Sequence, residues 1–146
     1  MLLHEHLENK LDKQPDFLFS EFQGKQITYR EANTLCNKLA HSLISAGLKK
    51  GDRFAFLSKN SSEMAFMYYA ASKVGVVPVP LNYRLADKEW EYIVNDSQSK
   101  IMIIRGNEYC ERIKKSRDNY KHIQIFIYIE SSEFESDWIE FYDWIS

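Results

Sequence analysis

Residues 54–80 read Phe54-Ala-Phe-Leu-Ser-Lys-Asn-Ser-Ser-Glu-Met-Ala-Phe-Met-Tyr-Tyr-Ala-Ala-Ser-Lys-Val-Gly-Val-Val-Pro-Val-Pro80, and this stretch decides the fold. Phe54-Ala-Phe-Leu57 is a short apolar run of the length that a buried strand uses. Asn60, with Glu63 three positions on, then caps a helix that reaches Val74. Met64, Ala65, Phe66, Met67, Tyr68, Tyr69, Ala70 and Ala71 leave that helix little polar face, so it is expected to be covered on several sides. Val76-Val-Pro-Val-Pro80 is extended, but two prolines cannot donate ladder hydrogen bonds, which places it at a sheet edge or a strand end. A strand, a helix of more than ten residues and a second strand make a parallel β-α-β unit.

Working outward, the pattern repeats toward the C-terminus. A helix over Asp87–Asp96 presents Trp90, Ile93 and Val94 on one face, and Lys100-Ile-Met-Ile-Ile104 is a strand. Asn107 to about Arg117 reads as helix and His122–Ile129 as strand. An amphipathic helix from Asp137 carries Trp138, Phe141, Tyr142 and Ile145 at helical spacing. Toward the N-terminus, Tyr29–Ala46 sets Ala32, Leu35, Cys36, Leu39, Ala40, Leu43 and Ala46 on one face. Thr28 is its expected N-cap, Glu31 its capping-box partner and Gly47 its C′ residue. Before it, Phe17–Phe22 and Gln26–Thr28 flank Gln23-Gly24-Lys25 as a small hairpin, preceded by a short helix. The fold class is therefore α/β, a mainly parallel sheet with flanking helices and a small N-terminal hairpin, expected as one domain over residues 1–146.

Composition narrows the function. The chain has 146 residues, 45% hydrophobic and 27% charged, so it is expected to build a core rather than stay disordered. Its net charge of −2 supplies no general positive field for nucleic acid. No apolar run approaches the roughly 18–20 residues a membrane helix needs, and the N-terminus lacks the layout of a secretory signal. The expected compartment is the cytoplasm. Cys36 and Cys110 form no C-x-x-C pair and are expected to be inert thiols.

Two segments are more specific than any periodicity. Ile27-Thr-Tyr-Arg-Glu-Ala32, followed by Asn37-Lys-Leu-Ala40, Leu43, Gly47-Leu48 and Gly51-Asp-Arg53, resembles the opening motif of adenylate-forming enzymes. Ser72-Lys-Val-Gly-Val-Val-Pro-Val-Pro-Leu-Asn-Tyr-Arg-Leu85 is similar to the next motif of the same superfamily. The wording Asn82-Tyr83-Arg84-Leu85 resembles the acyl-CoA synthetases and their AMP-binding relatives, in the fatty-acyl and aryl CoA ligase branch. Departures are small: Ala32 stands for the usual Leu, Val74 for Ala, and Ala86-Asp87 for Thr-Pro.

The resemblance implies an enzyme that activates a carboxylic acid as an acyl-adenylate and passes it to CoA or a carrier-protein thiol. Its cofactors would be ATP, Mg²⁺ and CoA. It also implies motifs that this chain lacks: a Ser/Thr/Gly-rich phosphate loop ending in Pro-Lys, the adenine and ribose contacts, and the adenylation lysine. The five glycines, Gly24, Gly47, Gly51, Gly75 and Gly106, lie in no such loop. The chain resembles an N-terminal subdomain whose partner is the remainder of the ligase or a larger multienzyme. By itself it is expected to be inactive, to hold no cofactor and to expose apolar surface, leading to self-association through Trp138, Phe141 and Ile145. The alternative is a non-catalytic structural or docking module of the same family at the start of a larger assembly.

No catalytic or metal-ligating residue is assigned. Asn82, Tyr83 and Arg84 are the candidate substrate-binding residues, because they follow a strand and ligands of α/β sheets gather at the carboxyl ends of strands. The competing reading is a loop in which Asn82 caps a turn and Arg84 pairs with a carboxylate. His4 and His6, at i and i+2, do not converge on one helix face, and His41 and His122 have no nucleophile motif nearby. The Met64, Met67, Tyr68 and Tyr69 cluster is read as core rather than acyl pocket. Basic residues from Arg112 to Lys121 precede an acidic stretch from Glu130 to Asp143, either as a docking surface or as two solvated faces.

Overall fold

A computed structural model describes residues 2–14, 16, 18–22, 25–59 and 61–146. In chain order it contains α1 (Leu3–Lys13), β1 (Leu18–Phe22), β2 (Lys25–Thr28), α2 (Tyr29–Ser45), β3 (Arg53–Leu57), α3 (Ser62–Val74) and β4 (Val77–Leu81). α4 (Asp87–Ser97), β5 (Ile101–Arg105), α5 (Asn107–Ser116), a 3-10 turn (Arg117–Asn119), β6 (Ile125–Ile129), β7 (Ile139–Glu140) and α6 (Phe141–Ile145) follow. The fold is α/β: a five-stranded parallel sheet in the order β4-β3-β5-β6-β7, flanking helices, and an antiparallel β1-β2 hairpin. The chain divides into two compact units.

The first unit holds α1, the hairpin, α2 and α3. α2 starts as the capping-box pattern requires, with the Thr28 hydroxyl accepting the Glu31 N–H and the Glu31 carboxylate accepting the Thr28 N–H, both at 3.2 Å. Its apolar stripe, Ala32, Cys36, Leu39, Ala40 and Leu43, is buried. It stops in a Schellman motif: Gly47 adopts φ +94°, its N–H reaches the Ile44 carbonyl, and the Leu48 N–H reaches the Leu43 carbonyl. α3 has Phe66, Met67, Ala70 and Ala71 all buried and ends at Gly75, φ +73°. Lys73 ties the three helices together. Its ammonium donates to Glu8 of α1 at 2.7 Å and to Asn33 of α2 at 3.4 Å. That bond holds the Glu8 carboxyl below the usual carboxylate range.

The second unit holds the sheet with α4, α5 and the 3-10 turn. Ala55, Leu57, Met102, Ile104 and Phe126 form one buried face, in a cluster with Trp90 and Val94 of α4 and Tyr109, Cys110 and Ile113 of α5. The alternate residues Phe54, Phe56, Ile101, Ile103 and Ile127 are buried as well. Burial on both faces is why β3, β5 and β6 read as continuous apolar runs rather than alternating ones. The proline strand β4 lies at the sheet edge, with Pro78 and Pro80 in register with Phe54 and Phe56. Burial pushes the Cys36 thiol up to about 12 and the Cys110 thiol up to about 11, which leaves both protonated and unreactive at neutral pH.

Several expectations change. The N-cap of α3 is Ser61; Asn60 lies outside the described residues, as do Phe17 and the Gln23 and Gly24 of the expected hairpin turn. β6 starts at Ile125 rather than His122. The expected terminal helix from Asp137 is instead a two-residue strand, β7, paired parallel with β6, then one short helix. Trp138, Phe141 and Ile145 are 5%, 0% and 4% exposed, so the end of the chain does not present the apolar face expected to drive self-association. The basic and acidic stretches are joined by two ion pairs. Lys114 pairs with Glu133 at 2.7 Å and Arg117 forks onto both carboxylate oxygens of Asp137.

One departure from the family pattern has a measurable consequence. Ala86 occupies the N-cap of α4 in extended conformation (φ −77°, ψ 159°), and Glu89 already accepts its N–H at 3.1 Å. A threonine there supplies the missing hydroxyl acceptor for the Glu89 N–H. Ala86→Thr should stabilise the chain by about 1 kcal/mol, seen as a melting point about 3 °C higher.

Candidate functional site

In a parallel sheet every strand delivers its carboxyl end to the same edge. Here β3 leads to Ser58 and Lys59, β4 to Asn82, Tyr83 and Arg84, β5 to Gly106 and Asn107, and β6 to Glu130 and Ser131. The three sequence-selected residues share one loop. Asn82 shapes it: its side-chain oxygen accepts the Arg84 N–H at 2.9 Å, and its carbonyl accepts the Leu85 N–H at 3.1 Å and the Trp90 indole N–H at 2.8 Å. The turn-capping role foreseen for Asn82 is thus present.

The other half of that competing reading is not. Arg84 is exposed and forms no ion pair among the described residues; its guanidinium instead lies 5.4 Å from the centre of the Tyr83 ring. The Lys59 ammonium lies 5.6 Å from the same ring. Tyr83 is half-buried and meets Tyr109 edge-to-face at 6.3 Å, which anchors the ring while two cations share it. The result is a small positive spot on an aromatic base, suited to an anionic group of a ligand.

The loop is braced by a residue that the sequence did not point to. Arg112 of α5 stacks 4.1 Å from the Trp90 ring, pairs with Asp87 at 2.9 Å and donates to the Leu85 carbonyl at 3.2 Å. No spacing rule marks a contact 27 positions away in the chain. Lys59 was missed for the same reason, since only the register of β3 against β4 brings the two loops together.

Three backbone N–H groups at this edge are already spent, those of Arg84 and Leu85 on Asn82 and that of Gly106 on the Ile129 carbonyl. Asn107, which opens α5, is turned to the loop after β6, accepting the Ser132 N–H at 2.8 Å and the Ser131 hydroxyl at 3.0 Å. No group of three His, Cys, Asp or Glu side chains that could hold a metal occurs among the described residues. No described helix is long and apolar enough to cross a membrane.

Comparison with known proteins gives a consistent picture. The family described as AMP-binding enzyme matches residues 7–143. The long-chain-fatty-acid–CoA ligase FadD13 of Mycobacterium tuberculosis is 45% identical over 78 residues, covering 53% of this chain and 16% of that enzyme. The fatty acid–[acyl-carrier-protein] ligase ScoC of Streptomyces coeruleorubidus is 35% identical over 82 residues, covering 56% of this chain and 16% of its own length. The chain thus spans about a sixth of these relatives. Among solved structures, the anthranilate CoA ligase AuaEII superposes with a TM-score of 0.92 at 22% identity, over 99% of this chain and 28% of that one. A Mycobacterium tuberculosis fatty acyl CoA synthetase gives 0.79 at 31% identity, over 87% and 26%.

Proposed function

The chain belongs to the AMP-binding enzyme family, and from that premise we propose that it supplies the N-terminal subdomain of an ATP-dependent acid–thiol ligase. The whole protein activates a fatty or aryl carboxylic acid as its acyl-adenylate, releases pyrophosphate, and transfers the acyl group to CoA or a carrier-protein thiol in the cytoplasm. The observation that carries this reading is the family match over residues 7–143, supported by the identity to a CoA ligase and a carrier-protein ligase.

ATP, Mg²⁺ and CoA belong to the whole ligase in this reading, because the 146 residues contain no Ser/Thr/Gly-rich loop ending in Pro-Lys of the kind that holds the triphosphate in the family. The chain contributes a rigid parallel sheet and, at its edge, the Lys59, Tyr83 and Arg84 spot. That spot meets an anionic group of the acid or the thiol carrier and orients it, without taking or giving a proton.

The test is carboxylate-dependent exchange of pyrophosphate into ATP. The 146-residue chain should give none above blank with any fatty or aryl acid, because the positioned donors and metal that stabilise phosphoryl-transfer charge are not in it. The same chain joined to the reading frame that follows it should give exchange, and Arg84→Ala there should raise KM for the acid or the thiol substrate about tenfold, as loss of a charged hydrogen bond does. A following frame without a phosphate loop, or exchange by the 146 residues alone, overturns the proposal; the first outcome assigns the chain as a docking module.

A further inference from the structure

The first unit contains a cavity of about 510 Å³ that the ligase reading does not use. Its floor is aromatic. Phe19 of β1 meets Tyr29, the first residue of α2, edge-to-face at 5.5 Å, and Tyr69 of α3 at 5.9 Å. Phe19 also stacks at 6.2 Å on Phe66, which is fully buried, so the floor rests on the unit's core and cannot easily collapse. Neither tyrosine hydroxyl has a protein hydrogen bond among the described residues, and both rings are only half-buried.

The rim is cationic. His6, Lys10 and Lys13 of α1 stand at i, i+4 and i+7 and share the helix face that lines the cavity. Two of the three acidic residues of α1 are engaged elsewhere, Glu5 accepting the Leu2 N–H and Glu8 held by Lys73, and the third, Asp12, is not among the residues that line the cavity. Among the described residues no carboxylate lines the cavity, and neither Lys10 nor Lys13 forms an ion pair. An aromatic floor under two ammonium groups, in a half-open cavity of a volume typical of small-molecule sites, is the complement of a flat apolar anion.

We propose that this cavity binds an aromatic oxyanion, its ring seated on Phe19, Tyr29 and Tyr69 and its charge met by Lys10 and Lys13. A purely aliphatic ligand would lose the edge-to-face contacts, and a neutral aromatic would leave the ammonium pair unanswered. The site lies wholly in the first unit and takes no part in the adenylation chemistry above.

The experiment is a heteronuclear NMR titration of the 146-residue chain with naphthoate, a flat aromatic carboxylate. The expected result is saturable shifts confined to amides of α1, β1, the start of α2, and α3. Affinity should be about tenfold lower for the neutral isostere naphthalenemethanol, and about tenfold lower for naphthoate in the Lys10→Gln/Lys13→Gln double variant. Both lysines are exposed, so the variant should keep the wild-type spectrum outside the cavity. Shifts that do not saturate, saturable shifts at the carboxyl edge of the sheet instead, equal binding of naphthalenemethanol, or unchanged affinity in the double variant would each overturn the proposal. Binding is read on the chain itself, so the outcome is independent of whether the whole protein is a ligase.

Discussion

Trp90→Ala should lower the stability of the chain by about 3–5 kcal/mol, the range for deleting a large buried aromatic. Trp90 is 0% exposed and lies in the cluster that α4 and α5 make with the sheet. Its ring is packed edge-to-face against Tyr109 at 6.0 Å and covered by the Arg112 guanidinium at 4.1 Å. The hydrogen bond is the smaller part of the loss: the Asn82 carbonyl keeps the Leu85 N–H when the indole donor is gone, and Arg112 keeps Asp87 and the Leu85 carbonyl. Trp90→Phe, which retains most of the ring, should therefore cost only about 1–2 kcal/mol. Chemical denaturation with an unchanged slope measures both values. The same change should loosen the candidate site, since Trp90 is one of two donors on the carbonyl that closes its loop. Amide hydrogen exchange at Arg84 and Leu85 should accelerate in Trp90→Ala well before it does in the strands. A loss below about 1 kcal/mol, or protected Arg84 and Leu85 amides, would mean that the indole does not hold the loop.

What was readable in the sequence was whatever physics keeps local. Thr28 with Glu31, and Gly47 after the last turn, mark α2 because caps satisfy backbone groups within four residues. Phe54-Ala-Phe-Leu57 and Ile101-Met-Ile-Ile104 announce strands buried on two faces, and Pro78 and Pro80 announce an edge, each without reference to distant residues. The end of the chain misleads because its local signal is real but weak. Trp138, Phe141, Tyr142 and Ile145 fit a helical stripe, yet a helix of that length is marginal by itself. Tertiary contacts outweigh it: Trp138 stacks on Phe126 at 5.2 Å, Arg117 clamps Asp137, and Ile139 pairs with Ile127. The pairing of Lys114 with Glu133 was illegible for a related reason, since the two lie 19 positions apart until the fold brings them together. At the candidate site the Asn82 turn was legible for the local reason, whereas Lys59 and Arg112 reach it only through strand register and helix packing.

Phe66→Ala should likewise cost about 3–5 kcal/mol, and it probes the first unit. Phe66 is 0% exposed on α3, and its helical neighbours Met67 and Ala70 are 2% and 0% exposed, so the truncated side chain leaves a void that no nearby group is free to fill. The void is apolar and should stay dry, which leaves the lost contacts uncompensated by water. Phe66→Leu keeps most of the volume and should cost only about 1–1.5 kcal/mol, separating the void from the loss of the ring itself. The ring has a second duty: Phe19 stacks on it at an interplanar angle of 20° while bearing Tyr29 and Tyr69 on its edges. Removing it takes away the base of the aromatic floor, so naphthoate affinity should fall in Phe66→Ala even under conditions where the chain remains folded. A denaturation midpoint within about 1 kcal/mol of wild type would contradict the packing of α3. Full loss of stability with naphthoate affinity intact would place the ligand somewhere other than on Phe19.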